Sequence, residues 1–196
     1  VNTDACSKQC VLTPKSLILG AGQPTPQYGS PNLGTAYNDN CPAGQVLIGF
    51  TGSLKAGAHA AIKGVCAVPM LAVQDDAFVI KTGPGAALPQ RGGLGDTPWM
   101  RVCPADHVLV GFSGSAGTGV NQLTFSCAPL VVSEGVGAFT IGVGPATQLM
   151  VVGAVGGMPF MPTSCPIGQV AGAQRLRAGT VVNAFGLGCS AVSLGF

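Results

Sequence analysis

Apolar residues in this chain recur at every second position, in short runs that glycine interrupts. Val46, Ile48 and Phe50 form one run, Val108, Val110 and Phe112 another, and Leu123 and Phe125 alternate toward Cys127. A period of two sends successive side chains to opposite faces of an extended strand. Glycine-rich breaks between the runs predict hairpins. Gly52-Ser53 and Gly114-Ser115 open turns, and Gly83-Pro84 and Gly144-Pro145 mark others. Long helical periodicity is absent. Ala56 to Lys63 is alanine-rich, but its glycine flanks argue against a helix. The expectation is an all-β chain with Phe50 and Phe112 buried, either near a pseudo-threefold axis or inside the sheet packing.

The runs sit within a longer repeat. Cys41-Pro-Ala-Gly-Gln-Val-Leu-Ile-Gly-Phe returns as Cys103-Pro-Ala-Asp-His-Val-Leu-Val-Gly-Phe and as Cys165-Pro-Ile-Gly-Gln-Val-Ala-Gly-Ala-Gln. The offsets, 103 − 41 and 165 − 103, are both 62. Each block closes on a second cysteine: Cys66, Cys127 and Cys189. The linking segments repeat as well: Ala77-Phe-Val-Ile matches Ala138-Phe-Thr-Ile, and Ser16-Leu-Ile-Leu is a first copy. A fixed period of this length means one structural unit used three times. The expected organisation is an arm over 1–9, then one domain of three units, 10–66, 67–127 and 128–189. A last strand, 190–196, completes the sheet that the N-terminus begins.

About four strands per unit, used three times around a pseudo-threefold axis, is a β-prism. The repeat Cys-Pro-x-Gly, then Gly-Phe, then a glycine-rich turn and a closing Cys, resembles that of the vitelline membrane outer layer protein I family. Gly95-Asp96-Thr97-Pro98-Trp99 ahead of Cys103 is similar to that family's lead-in. The resemblance touches all three units and implies a disulfide-stapled β-prism-like fold. Unit three departs from it: Ala173-Gln174 replaces Gly-Phe, and Met158-Pro159-Phe160 replaces the Pro-Trp element.

Eight cysteines, an even number, point to an oxidising compartment, hence a secreted or cell-surface protein. Repeat symmetry suggests Cys41–Cys66, Cys103–Cys127 and Cys165–Cys189, leaving Cys6–Cys10. A rival pairing is Cys10–Cys41, Cys66–Cys103, Cys127–Cys165 and Cys6–Cys189. No Cys-x-x-Cys occurs and there are two histidines, so no metal or other cofactor is expected. No run of about 18 apolar residues predicts a transmembrane helix. Read from Val1, the chain has no basic segment ahead of an apolar one and reads as a mature, processed form.

Charge is scarce: 8% of residues, with a net charge of +2 and no basic stripe, which argues against a nucleic-acid partner. Between Ala128 and Cys189 the charged residues are Glu134, Arg175 and Arg177. So little surface charge favours self-association, because charge is what normally opposes edge-to-edge strand pairing.

Catalytic candidates are thin. Ser113, His107 and Asp106 supply triad types, but neighbours on one strand alternate faces. Asp75-Asp76 is the one adjacent carboxylate pair and reads as a solvated turn. Arg91-Gly-Gly-Leu-Gly-Asp96 lacks the Lys-Ser/Thr of a phosphate loop. Arg175 and Arg177 face one way along a strand and read as its polar face or an anion grip. For sugar, which calls for an aromatic platform with a few polar groups, the candidate corner is Tyr37, Asn38, Asp39 and Asn40. The leading expectation is a secreted, non-enzymatic structural protein that assembles with copies of itself. The alternative is an extracellular carbohydrate-binding, lectin-like module.

Overall fold

The computed structural model describes residues 12–196, and every regular element in it is a strand. They run β1 (Ser16–Ala21), β2 (Tyr28–Gly29), β3 (Thr35–Asn40), β4 (Val46–Lys55), β5 (Ala58–Gln74), β6 (Ala77–Gly83), β7 (Arg91–Gly92) and β8 (Thr97–Val102). Then follow β9 (His107–Ala116), β10 (Val120–Glu134), β11 (Phe139–Val143), β12 (Thr147–Gln148), β13 (Val152–Gly153), β14 (Met158–Ser164), β15 (Gln169–Ala178) and β16 (Val182–Gly195). The Cys6–Cys10 pairing and the arm over 1–9 lie outside the described residues.

Three antiparallel hairpins, β4–β5, β9–β10 and β15–β16, form the centres of three faces. Each is flanked by strands of a linking segment. β8 and β7 flank the β4–β5 hairpin, and β14, β12 and β13 flank β9–β10. The β15–β16 face takes its flanks, β3 and β2, from the other end of the chain. β1 pairs with the end of β16 in register Ser16↔Gly195 to Ala21↔Ser190, so the chain closes on itself like a ring. This is the expected three-part β-prism.

Strict alternation does not survive at one place in each hairpin. Leu47 lies opposite Cys66 while Gly49 lies opposite Val65, which leaves Ile48 as an extra residue. The same slip leaves out Val110 between Leu109 and Gly111, and Gly172 between Ala171 and Ala173. These are β-bulges, each placing two residues of one strand against one of its partner. The bulge brings Leu47 and Phe50, or Leu109 and Phe112, into a single buried cluster. Val46, Val108 and Val110 belong instead to a second cluster, and Ile48 is half-buried. The even-numbered run read as one core face is therefore divided between two cores.

The three disulfides among the described residues form at the bulges. They are Cys41–Cys66, Cys103–Cys127 and Cys165–Cys189, the pairing that repeat symmetry suggests. Each closing cysteine lies opposite the residue before a bulge: Leu47↔Cys66, Leu109↔Cys127, Ala171↔Cys189. Each opening cysteine donates its N–H to a bulge carbonyl of the face it leaves. Cys103 bonds Ile48 O at 2.7 Å, and Cys165 and Cys41 bond Val110 O and Gly172 O at 2.8 Å. Its sulfur then joins the next face. Each disulfide lies within one sequence unit, as the repeat pattern suggests, and in space it stitches one face to the next around a ring.

The axis core is aromatic. Phe185 meets Phe112 at 4.8 Å and Phe50 at 5.2 Å between centroids, and Phe50 stacks on Phe125 at 5.0 Å. Tyr37, Trp99 and Phe160 occupy matching places on the flanking strands β3, β8 and β14 and pack against this cluster. Beyond the cysteines, β5, β10 and β16 run on into a second layer with β6, β11 and β1. Ile80, Leu130, Val170 and their neighbours form its core.

Local turn chemistry is simple. Asp75 and Asp76, both at positive φ (50° and 61°), join β5 to β6 as a two-residue hairpin turn, so the carboxylate pair is a turn. Ala56 and Gly57, also at positive φ, make the β4–β5 turn, and β4 continues through Gly52-Ser53 instead of turning there. β9 likewise runs through Gly114-Ser115.

Phe112 is 1% exposed and touches the rings of Tyr28, Phe160 and Phe185. Phe112→Ala is expected to lower unfolding free energy by about 3–5 kcal/mol, the cost of an unfilled aromatic cavity. Equilibrium urea unfolding measures it; a loss below about 1 kcal/mol would mean the axis cluster is not what holds the faces together.

Candidate functional site

The Tyr37–Asn40 corner lies on β3, and strand geometry divides it. Tyr37 and Asp39 face inward and are half-buried; Asn38 and Asn40 face outward and are exposed. Asp39 is fully engaged. Arg91 Nε donates to its Oδ2 at 3.0 Å and Arg91 Nη2 to its Oδ1 at 2.6 Å, while the guanidinium lies 4.2 Å above the Tyr37 ring. The Arg91 hydrogen bonds hold the Asp39 carboxyl below its ordinary range; partial burial opposes them and Gln174 adds to them.

Gln174 stands where units one and two carry Phe50 and Phe112. It is 0% exposed, yet its amide is satisfied. Nε2 donates to Asp39 Oδ2 at 2.8 Å and to Pro89 O at 2.9 Å, and Oε1 accepts the Gly64 N–H at 2.8 Å. Gly64 leaves room for it: a Cβ there would come 3.3 Å from Gln174 Oε1 and 2.7 Å from Leu47. Asp39, Arg91 and Gln174 therefore form a latch between the β15 face and the β5 face. Nothing in the repeat pattern announced Arg91 or Gln174 as partners of Asp39, because the contact joins residues far apart in the chain.

Outward from β3 the picture differs. Asn38 lies opposite Arg175 and Asn40 opposite Ala173. With Ala21, Gly22, Pro24, Gly188 and Ser190 these residues line a concavity of about 440 Å³. Its floor is low because Gly172 and Gly188 carry no side chain; a Cβ on Gly172 would strike Ser190 Oγ, and one on Gly188 would lie 2.9 Å from Ala173 Cβ. Arg175 Nη1 donates to Thr25 O at 3.2 Å, and Thr25 is itself fixed by accepting the Leu187 N–H at 2.9 Å. Arg177, also outward, bonds Leu33 O and Gly34 O and lies outside the concavity.

The triad types do not converge. Asp106 accepts from Lys81 Nζ at 3.1 Å and from the Thr82 N–H at 3.0 Å, and the His107 ring turns to Ala105 O at 2.9 Å. Arg91-Gly92 is a short strand paired with β5, and its arginine serves the latch. Among the described residues no group of three His, Cys, Asp or Glu could hold a metal. No helix among them is long and apolar enough to cross a membrane.

Two further polar groups are buried at the axis. His59 is 0% exposed, its Nε2 lies 3.3 Å from Val152 O, and its Nδ1 has no partner among the described residues. Burial pushes its pKa from 6.5 down to about 4, with the Val152 hydrogen bond opposing. Trp99, in edge contact with His59 at 5.1 Å, keeps its Nε1 buried without a partner.

With this geometry in view, the chain is similar in fold to plant lectins. A mannose-binding lectin from champedak matches with a TM-score of 0.55 and 14% identity over 87% of this chain and 97% of that one. The Malaysian banana lectin matches with a TM-score of 0.53 and 14% identity over 89% and 98%. Calystegia sepium agglutinin matches with a TM-score of 0.51 and 16% identity over 86% and 95%. The chain has the β-prism I fold of the jacalin-related lectins. At such low identity the likeness concerns fold alone. No family model matches the sequence, and no curated protein matches it.

Gln174→Leu keeps bulk but strips both donors from the latch and orphans the Gly64 N–H. It should cost about 2–3 kcal/mol in chemical unfolding; a neutral result would show that the latch is dispensable.

His59 links stability to pH. The folded state holds it neutral down to about pH 4, whereas the unfolded chain protonates it near 6.5. Its contribution is therefore complete above about pH 6.5 and is lost as pH falls toward 4, reaching about 3 kcal/mol. Unfolding curves from pH 7 to 4 should show this slope for the native chain and a flatter one for His59→Gln. Parallel curves would refute the assignment.

Proposed function

We propose that this chain is an extracellular, non-enzymatic carbohydrate-binding domain, and that the concavity between β1, β3, β15 and β16 is its sugar site. The observation that carries the reading is the outward amide pair of Asn38 and Asn40 converging with Arg175 and Ser190 on one wall. Amides and hydroxyls both donate and accept, as adjacent sugar hydroxyls require. The lectin fold supports the same reading, and the champedak relative is named as mannose-binding. Three disulfides support an oxidising, extracellular location. The cysteine repeat supports kinship with the vitelline membrane outer layer protein I family within the β-prism group.

Self-assembly as a structural subunit is the second reading. Exposed Met150, Met158, Val155 and Ile167 and the scarcity of charge favour it. The fold likeness favours sugar binding over it, and the two are not exclusive.

A glycan array probed with the folded chain should show a restricted set of bound glycans. Asn38→Ala with Asn40→Ala should weaken that binding at least tenfold without shifting the melting temperature. A chain that binds no glycan and sediments as large assemblies would support the structural reading instead.

A further inference from the structure

We infer that the glycan taken by this concavity is anionic, its carboxylate or sulfate pairing with Arg175; the inference rests on the sugar-binding reading above. The argument begins with what lines the wall. Among the described residues of the wall, Arg175 is the one charged side chain, and none carries a carboxylate or an aromatic ring. Asp39, the nearest carboxylate in sequence, faces inward and is neutralised by Arg91 at 2.6 Å. Tyr37 faces inward with it and packs against the axis core. Among these described groups a neutral sugar would therefore find no ring to stack on and no carboxylate to accept its hydroxyl protons. Its contacts would be amides and one hydroxyl, each competing with water on nearly even terms.

An anion finds something stronger. Hydrogen bonds from guanidinium to carboxylate or sulfate are charge-assisted and can be bidentate. Arg175 is half-buried, flanked by Asn38 across the strand, and aimed by one bond to Thr25 O. That bond uses one of five donors, and the others have no protein partner among the described residues. A side chain already held in place loses little freedom on binding. Arg177 does not qualify, since two of its nitrogens are taken by Leu33 O and Gly34 O. Asn38 and Asn40 would then read the hydroxyls beside the anion.

Isothermal titration of the full chain tests this with four probes: trigalacturonate, its methyl ester, a sulfated carrageenan tetrasaccharide and mannotriose. The expected result is binding of trigalacturonate, the tetrasaccharide or both, weakened by added sodium chloride. Methyl esterification and Arg175→Gln should each weaken it at least tenfold, while the Arg175→Gln melting temperature stays unchanged. Preference for trigalacturonate identifies a carboxylate and preference for the tetrasaccharide a sulfate; either supports the inference. Mannotriose or the ester binding as tightly as the acids, indifferent to Arg175→Gln, overturns it and leaves the sugar-binding reading intact. If no probe binds and the glycan array is also blank, both fall together. Array binding confined to neutral glycans overturns this inference alone.

Discussion

The structure depends on one corner, built three times. A bulge in a central hairpin turns a carbonyl outward, the opening cysteine of a flanking strand donates its N–H to that carbonyl, and its sulfur crosses to the next face. A bulge alone would bend a strand and leave a carbonyl unpaired. A disulfide alone would tether two faces without setting their angle. Together they fix where one sheet stops and the next begins. The faces can then lean on a shared aromatic core at the axis, where Phe50, Phe112, Phe125 and Phe185 meet. The corner also explains why the strands through Cys66, Cys127 and Cys189 are long: the chain crosses the disulfide mid-strand and continues into the second layer.

Much of this was legible in the sequence because the repeat is short-range information. The period of 62, the paired cysteines and the alternating apolar runs name the three hairpins and their disulfides. The bulges were not legible. A single extra residue at Ile48, Val110 or Gly172 leaves the composition of a strand unchanged while sending Leu47 and Leu109 to the axis. Hydrophobic alternation assumes an unbroken pleat, so it assigned Val46 and Phe50 to the same face. Likewise the disulfides connect residues close in sequence but on different faces, since the flanking strand of one face directly precedes the hairpin of the next.

The candidate site was legible in part, for a related reason. The cluster Tyr37-Asn38-Asp39-Asn40 stands out by composition, but a strand cannot present four consecutive side chains to one ligand. The inward pair has roles that sequence could not reveal. Tyr37 is the first unit's counterpart of Trp99 and Phe160; the repeat aligns the latter two, and the strand pairings add Tyr37 to them. Asp39 answers a defect in the symmetry. Where the third unit loses its phenylalanine, Gln174 brings polar atoms into the core, and Asp39, Pro89 and Gly64 satisfy them. A buried amide without these partners would add the desolvation cost of unpaired polar atoms to the loss of the ring.

The scarcity of charge, read first as a sign of self-association, gains a different weight when the hydrogen-bonded charges are placed. Asp39 and Arg91 latch two faces; Lys81 and Asp106 tie the second layer to the loop before β9. Arg101 bonds Met100 O, Met150 O and Val151 O, and Arg177 bonds Leu33 O and Gly34 O. These charges serve as structural fasteners, which a glycine-rich fold with few large side chains needs at its loops. Arg175 is different, because it sits in a concavity with most of its donors unengaged by the described protein groups. In a chain with 8% charged residues, a guanidinium with no ion-pair partner among the described residues meets little competing field from its neighbours. Its attraction for an anion is then set mainly by its own burial and by salt. The same sparseness that weakens the surface's defence against association also favours the anion contact proposed for Arg175.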